Sequence, residues 1–352
     1  MMRRAGRVLT RSSRTWAAGL MVALGVVGPA AAESQGVGRA RVLIVSGVTG
    51  EPQYATAFAK QATTMIDALT KRFGIPESNI VYLAETTAGE SAKAKATSTK
   101  ENVERELKAL ADQSKNGDVL FVMLIGHGSG EDAATRFSLP GPDMTAADFA
   151  KILDTVDGAT IAFVNAASAS GGFIGPLSGR NRVIATATKS GAERNQTRFA
   201  TYFVQAYAGD VADADKDGRV SILEAFEYAR REVARAFEAE NHLLTEHAQL
   251  DDNGDRKGTG APDAKSADGA LARRVFLGGT AGSVAAAARA ASSDPRVATL
   301  EKEKEAIEAR IDSLRRGKAS MDSTAYEKAL EGLLVQLAEK NKAIREAVGG
   351  RP

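Results

Sequence analysis

Between residues 40 and 240, short apolar runs alternate with segments whose apolar residues recur every three or four positions. RVLIVSGV (41–48) is the first run and ends beside glycine, which predicts a strand. The next segment sets Phe58, Ala62, Met65, Leu69 and Phe73 on one helical face. IVYLA (80–84) predicts a second strand, and Ser98 followed by Glu101 predicts a capping box that opens a helix through Leu110. DVLFVMLIG (118–126) is apolar at both alternating sets of positions, as a central parallel strand covered on two faces should be. A helix from Thr145 to Leu153 follows, then the strands TIAFVN (160–165) and RVIATAT (182–188), with helices near 197–208 and 222–239. Repeated βαβ units predict an open α/β fold: a mostly parallel sheet between two helical layers.

The pattern changes after Asp251. DDNGDRKGTGAPDAKSADG is polar and rich in Gly, a loop by composition, and residues 278–294 read as a low-complexity linker. Beyond it Val297, Leu300, Lys304, Ile307, Ile311 and Leu314 keep heptad spacing, broken once by the lysine. Leu330, Leu333, Leu337 and Ile344 form a second seam. Residues 295–348 therefore predict a helical hairpin or short coiled coil, which could pack on its own domain, oligomerise or bind a partner.

Five arginines precede WAAGLMVALGVV (16–27), and an Ala-x-Ala site follows. Residues 1–32 read as a signal peptide cleaved after Ala32, which predicts a periplasmic or secreted protein. No later run is apolar enough to span a bilayer. Removing those five arginines from a formal charge of +2 leaves −3, so the rest of the chain offers no electrostatic case for nucleic acid. Cysteine is absent, which excludes disulfides, thiol catalysis and Cys-ligated metals.

DADKDGRVSILE (213–224) has the pattern of a calcium loop. Asp213, Asp215 and Asp217 stand at positions 1, 3 and 5, and Gly218 at the turn. Arg219 offers a carbonyl at position 7, Ser221 stands at position 9, and Glu224 supplies the carboxylate at position 12. Ca²⁺ is the predicted cofactor, in a structural role because only one complete loop is evident. The competing reading is an acidic turn in which Ser221 and Glu224 merely cap a helix. Asp251, Asn253 and Asp255 make half of another such loop.

Of three histidines, His127 ends the most apolar strand and is followed by Gly128, while His242 and His247 read as structural or surface residues. Ligands of open α/β sheets bind beyond the carboxyl ends of the strands. The next strand, TIAFVN, runs into the small residues AASASGG (166–172). IGHGS and ASASGGF, in that order and spacing, resemble the active-site layout of the legumain and caspase peptidases, legumain more than caspase, over residues 38–255. The resemblance implies a three-layer αβα caspase/legumain-like fold for residues 38–277, with the helical hairpin beyond it. It also implies that His127 corresponds to the catalytic base and the Gly128 amide to the oxyanion donor. Ser168 then stands where the family has its cysteine, after a small residue at Ala167.

A hydroxyl in a pocket built for a thiolate is a weak nucleophile unless a base is hydrogen-bonded to it and oriented by a third group. No acid in the sequence can be assigned to orient His127. The expectation is a catalytically impaired homologue that binds Ca²⁺ and a peptide or protein ligand. The alternatives are an active Ser168/His127 dyad and a scaffold assembling through its C-terminal helices. Glu193, Arg194, Asn195 and Arg198, in the loop after the RVIATAT strand, are candidates to line a peptide groove, although each could equally cap the next helix.

Overall fold

The computed structural model describes residues 40–278 except 132–133, 215–217 and 263–266, individual residues between 296 and 314, and residues 322–349. The signal-peptide reading and most of the linker lie outside the described residues, as do Asp215 and Asp217.

β4 (Val119–Ile125) is apolar at all seven positions, and all but the first are fully buried. Such a strand is stable only with a helical layer on each face, and the fold supplies both. β1 (Ala40–Ser46), β2 (Ile80–Ala84), β3 (Ala96–Thr97), β8 (Thr160–Asn165) and β9 (Arg182–Thr186) join it in parallel. β10 (Gln249–Asp251) adds to β9 antiparallel, giving the order β10-β9-β8-β4-β1-β2-β3. Alternate residues serve opposite layers. Val42, Ile44, Phe121, Met123, Ala162 and Val164 pack on helices α1 (Pro52–Lys71), α5 (Phe199–Ala208) and α6 (Ile222–Ala239). Leu43, Val45, Leu120, Val122, Ile161 and Phe163 pack on α2 (Lys100–Gln113), α3 (Ala146–Leu153) and α4 (Ile174–Leu177). This is the expected three-layer αβα arrangement.

Three two-residue strands, β5 (Gly128–Ser129), β6 (Arg136–Phe137) and β7 (Met144–Thr145), form a small antiparallel sheet immediately after β4. It gives the chain beyond His127 a fixed path. α3 starts as its sequence predicts, with a reciprocal capping box between Thr145 and Asp148. α2 corrects the expectation at Ser98. The cap is Thr99, whose side chain accepts the Asn102 amide, while the buried Ser98 hydroxyl donates to the Ser46 carbonyl at 2.7 Å. A serine that is fully buried takes a backbone acceptor across the sheet rather than cap the helix beside it.

At the C-terminal end, α7 (Ser323–Gly349) carries Leu333, which forms a buried cluster with Ile307 and Ile311, flanked by Leu314, Leu330 and Leu337. Glu303 pairs with Lys340 at 2.5 Å. These residues belong to the two predicted seams.

Candidate functional site

β4 and β8 are paired neighbours, so the chain leaving each arrives at the same edge of the sheet. His127 lies two residues past β4 and Ser168 three past β8. The two turns touch. Ser168 Oγ accepts the Gly128 amide at 3.2 Å and donates toward the Gly128 carbonyl at 3.4 Å. A Cβ at Gly128 would lie 2.5 Å from the Ser168 carbonyl oxygen, so only glycine permits this approach.

The hydroxyl and imidazole are held differently. Ser168 is 3 % exposed, and its Oγ is engaged with backbone on both sides. The His127 ring lies edge-on to Tyr54 and Phe58, with centroids 5.1 and 5.5 Å away. Among the described residues that ring has no hydrogen-bond or acidic partner, so no third group fixes its tautomer. The Gly128 amide, the expected oxyanion donor, is occupied by Ser168.

The turn between β8 and α4 is tied down at almost every residue. The Asn165 side chain accepts the Ala167 amide at 3.1 Å, and the Thr197 hydroxyl donates to the Ala166 carbonyl at 2.5 Å. Ala169 takes a left-handed φ of 53° and donates its amide to the Glu193 carbonyl at 2.8 Å. Ser170 is interlocked with Thr188: the hydroxyls lie 3.1 Å apart, and Thr188 Oγ1 also accepts the Gly171 amide at 3.1 Å. Every strut comes from the loop after β9 or from β8 itself.

In that loop the four side chains proposed for a groove are each engaged with a neighbouring element. The Glu193 carboxylate is turned onto His247, accepting the His247 and Lys189 amides at 3.1 Å and meeting Nδ1 at 2.5 Å. Arg198 pairs with Glu240 and lies over the Phe237 ring; Arg194 reaches Glu131, and Asn195 reaches Thr245. These side chains are spent on holding the loop, because each finds a partner within reach of its own backbone position. His247 is thus structural, as expected, and His242 lies 3.2 Å from Glu240. Next to His247, Glu246 is buried and accepts the Arg198 and Phe199 amides at 2.8 Å, where α5 begins. Burial pushes its carboxyl up to about 7. Neither Glu246 nor the Glu193–His247 pair leaves a local sign in the sequence, since both join residues about fifty positions apart.

A cavity of about 560 Å³ lies beyond the turn, lined by Gly171, Gly172, Ile174, Lys189, Gln249 and Arg256 among others. A second, of about 310 Å³, shares Gly171, Gly172 and Lys189 and extends to Glu131 and Gly191. Neither is lined by His127 or Ser168.

Away from this edge, the loop between α5 and α6 has Gly218 at φ 82° and donating its amide to Asp213 Oδ2 at 2.9 Å. Glu224 Oε1 accepts the Ala214 amide, and Oε2 accepts the Ser221 amide and hydroxyl at 2.9 and 2.8 Å. The capping box of Ser221 and Glu224 is therefore formed. It also turns Glu224 back onto the start of the loop, where Asp213 is. Val220 is buried, and the Arg219 guanidinium stacks 4.0 Å from the Phe276 ring centroid. These contacts are those of the helix-cap reading, and among the described residues no three acidic or histidine side chains form a metal-binding group.

Solved structures similar to the chain include a crystal structure of drICE, at 14 % identity over 57 % of this chain and 85 % of that one, with a TM-score of 0.34. Another is protein GSU0716 from Geobacter sulfurreducens, at 11 % identity over 64 % and 95 %, with a TM-score of 0.40. No curated protein matches the sequence. Residues 46–155, which hold α1 to α3 and His127 but not Ser168, match the family model of the metacaspase, peptidase C14 domain. That stretch, under a third of the chain, is thus similar to the metacaspase, peptidase C14 domain, and it carries His127 just past β4 in a mostly parallel αβα sheet.

Proposed function

We propose that this protein is an exported, caspase-like peptidase homologue impaired in hydrolysis, which uses the edge of its sheet to bind an extended peptide or a protein partner. The observation that carries this reading is the state of Ser168. Its hydroxyl is buried, bonded to the Gly128 amide and carbonyl, and without a base hydrogen-bonded to it. Attack on a carbonyl needs the hydroxyl proton taken by an oriented base and the oxyanion amide free. Here the amide is engaged by the hydroxyl itself, and the imidazole is packed among aromatic rings. Glycines and two cations, Lys189 and Arg256, line the neighbouring cavity, which offers backbone and charge to a ligand rather than a reacting group.

A fluorophosphonate probe tests the reading. The wild-type chain stays unlabelled. Labelling that disappears in Ser168→Ala but persists in Ser170→Ala would instead establish an active serine dyad with His127 as base.

The loop at 213–224 holds Ca²⁺ in this account, through Asp213, Asp215, Asp217, the Arg219 carbonyl, Ser221 and Glu224. The ion supplies no chemistry at Ser168. It neutralises the loop's carboxylates and clamps α5 to α6. A second reading, assembly through the C-terminal helices, draws on α7, where Leu334 and Val335 are 45 % and 52 % exposed beside Leu330 and Ala338.

A further inference from the structure

The cavity of about 560 Å³ beyond the Ser168 turn is lined by two cations and, among the described residues, by no carboxylate. Its walls come from three segments: the turn and short helix at 171–176, Lys189 after β9, and Gln249, Arg256 and Gly258 around β10. The segments meet closely. A Cβ at Gly171 would lie 2.2 Å from the Lys189 carbonyl carbon, and one at Gly258 would lie 2.4 Å from Ile174 Cδ1. Glycine is therefore required at both joints, and the cavity keeps stretches of bare backbone in its wall.

Both cations are fixed at their roots. Glu193 Oε2 accepts the Lys189 amide at 3.1 Å, and Ser178 Oγ accepts the Arg256 amide at 3.0 Å. Their charged ends have no ion-pair partner among the described residues, and both residues are exposed. Basic side chains nearby differ in this respect: Arg182 is paired with Asp154, Arg194 with Glu131 and Arg198 with Glu240. Glu131, which lines the adjoining smaller cavity, is thus already matched by Arg194. Like charges that share a cavity raise its positive potential and draw an anion into it.

We propose that this cavity binds a phosphomonoester, with Lys189 and Arg256 taking the phosphoryl group and Ile174 and Pro176 meeting the organic part. A phosphomonoester carries roughly −1.5 to −2 charges near neutral pH, which matches two cations, whereas a single carboxylate matches one. A guanidinium holds phosphoryl oxygens through paired N–H donors, and an ammonium adds a compact charge. The volume falls within the roughly 300–1,000 Å³ of small-molecule sites, so there is also room for whatever bears the phosphoryl group. The bearer is a free small molecule or a phosphorylated side chain of a peptide. The proposal rests on the reading of this cavity as a binding site and not on the state of Ser168, since neither His127 nor Ser168 lines it.

Calorimetric titration of the full chain with phenyl phosphate tests the proposal, against phenyl sulfate, a monoanion of nearly the same shape. The wild-type chain binds phenyl phosphate at a saturable site, about tenfold more tightly than the sulfate and less tightly as salt rises. Lys189→Met and Arg256→Asn each weaken that binding about tenfold. Both positions are exposed, and asparagine tolerates the left-handed φ of 69° at residue 256, so the melting temperature is unchanged in either variant. Gly175→Asp is an independent arm. Gly175 lines the cavity and a Cβ there meets nothing within 4 Å, so the added carboxylate occupies the cations and abolishes binding. A phosphoserine peptide bound more tightly than phenyl phosphate assigns the group to a phosphorylated chain, and the reverse order assigns it to a free phosphomonoester. The proposal is overturned if phenyl phosphate and the phosphoserine peptide both fail to bind, if phosphate and sulfate bind alike, or if either Lys189→Met or Arg256→Asn leaves binding unchanged. Equal binding of the phosphorylated and unphosphorylated peptide would overturn it and leave the peptide-binding reading standing. Phenyl phosphate bound in the absence of binding by any peptide would do the opposite.

Discussion

On the proposed reading, Ser168 offers a hydroxyl where a peptidase of this kind would offer a thiol, and the two differ in acidity and geometry together. A thiol near neutral pH can be held as a thiolate by a cationic neighbour, whereas a hydroxyl must lose its proton to an aligned base during attack. Ser168 instead shares both its hydrogen-bonding functions with Gly128. Glu246 is the other residue whose chemistry depends on its surroundings. Its folded-state carboxyl is raised to about 7 from an ordinary 4.5, mainly by burial. The folded chain therefore holds this proton more tightly than the unfolded one. Its contribution to stability is complete below pH 4.5 and is lost as the pH rises to 7, by at most roughly 3 kcal/mol. Measured against Glu246→Gln, the wild-type melting temperature should fall across that interval, and a constant difference between the two would contradict the assignment. His127 and Ser168 were legible in the sequence because each follows an apolar strand within three residues. Glu246 was not, because the amides it accepts, at the start of α5, lie nearly fifty positions away in the chain.

Among the elements, the loop between α5 and α6 is proposed as a calcium loop because cation ligation fixes residue types at fixed spacing. Val220 is buried where an apolar residue belongs, and Gly218 is left-handed where glycine belongs. Calcium should raise the melting temperature of the wild-type chain by several degrees through this loop. Asp213→Ala should lose most of that shift, and a variant that keeps it would place the ion elsewhere. The cap of α2 was misread by one residue. Ser98 and Thr99 are both competent caps in sequence, and only the sheet's demand for a donor to the Ser46 carbonyl separates them. The partners of the side chains in the loop after β9 were hidden for a similar reason. Glu193, Arg194 and Arg198 look like free polar groups until the chain brings His247, Glu131 and Glu240 beside them.

At the scale of the molecule, the parallel core was legible because β1, β4 and β8 are apolar on both faces and alternate with amphipathic helices. The small β5-β6-β7 sheet was not, since two-residue strands leave no periodicity. The antiparallel addition of β10 was hidden in a polar tail for the same reason. The two C-terminal seams were read from heptad spacing, and Ile307, Ile311 and Leu333 do share one buried cluster. If the exposed Leu334 and Val335 serve assembly, deleting residues 294–352 should lower the solution mass to that of a monomer, and an unchanged oligomeric state would remove that role. The central proposal is that this edge of the sheet serves binding while the Ser168 hydroxyl does no hydrolysis. The most direct measurement is turnover of a diverse peptide library by the wild-type chain and by Ser168→Ala, side by side with calcium present. The account expects the two to be indistinguishable from the uncatalysed rate; cleavage by the wild type that vanishes in Ser168→Ala would contradict it.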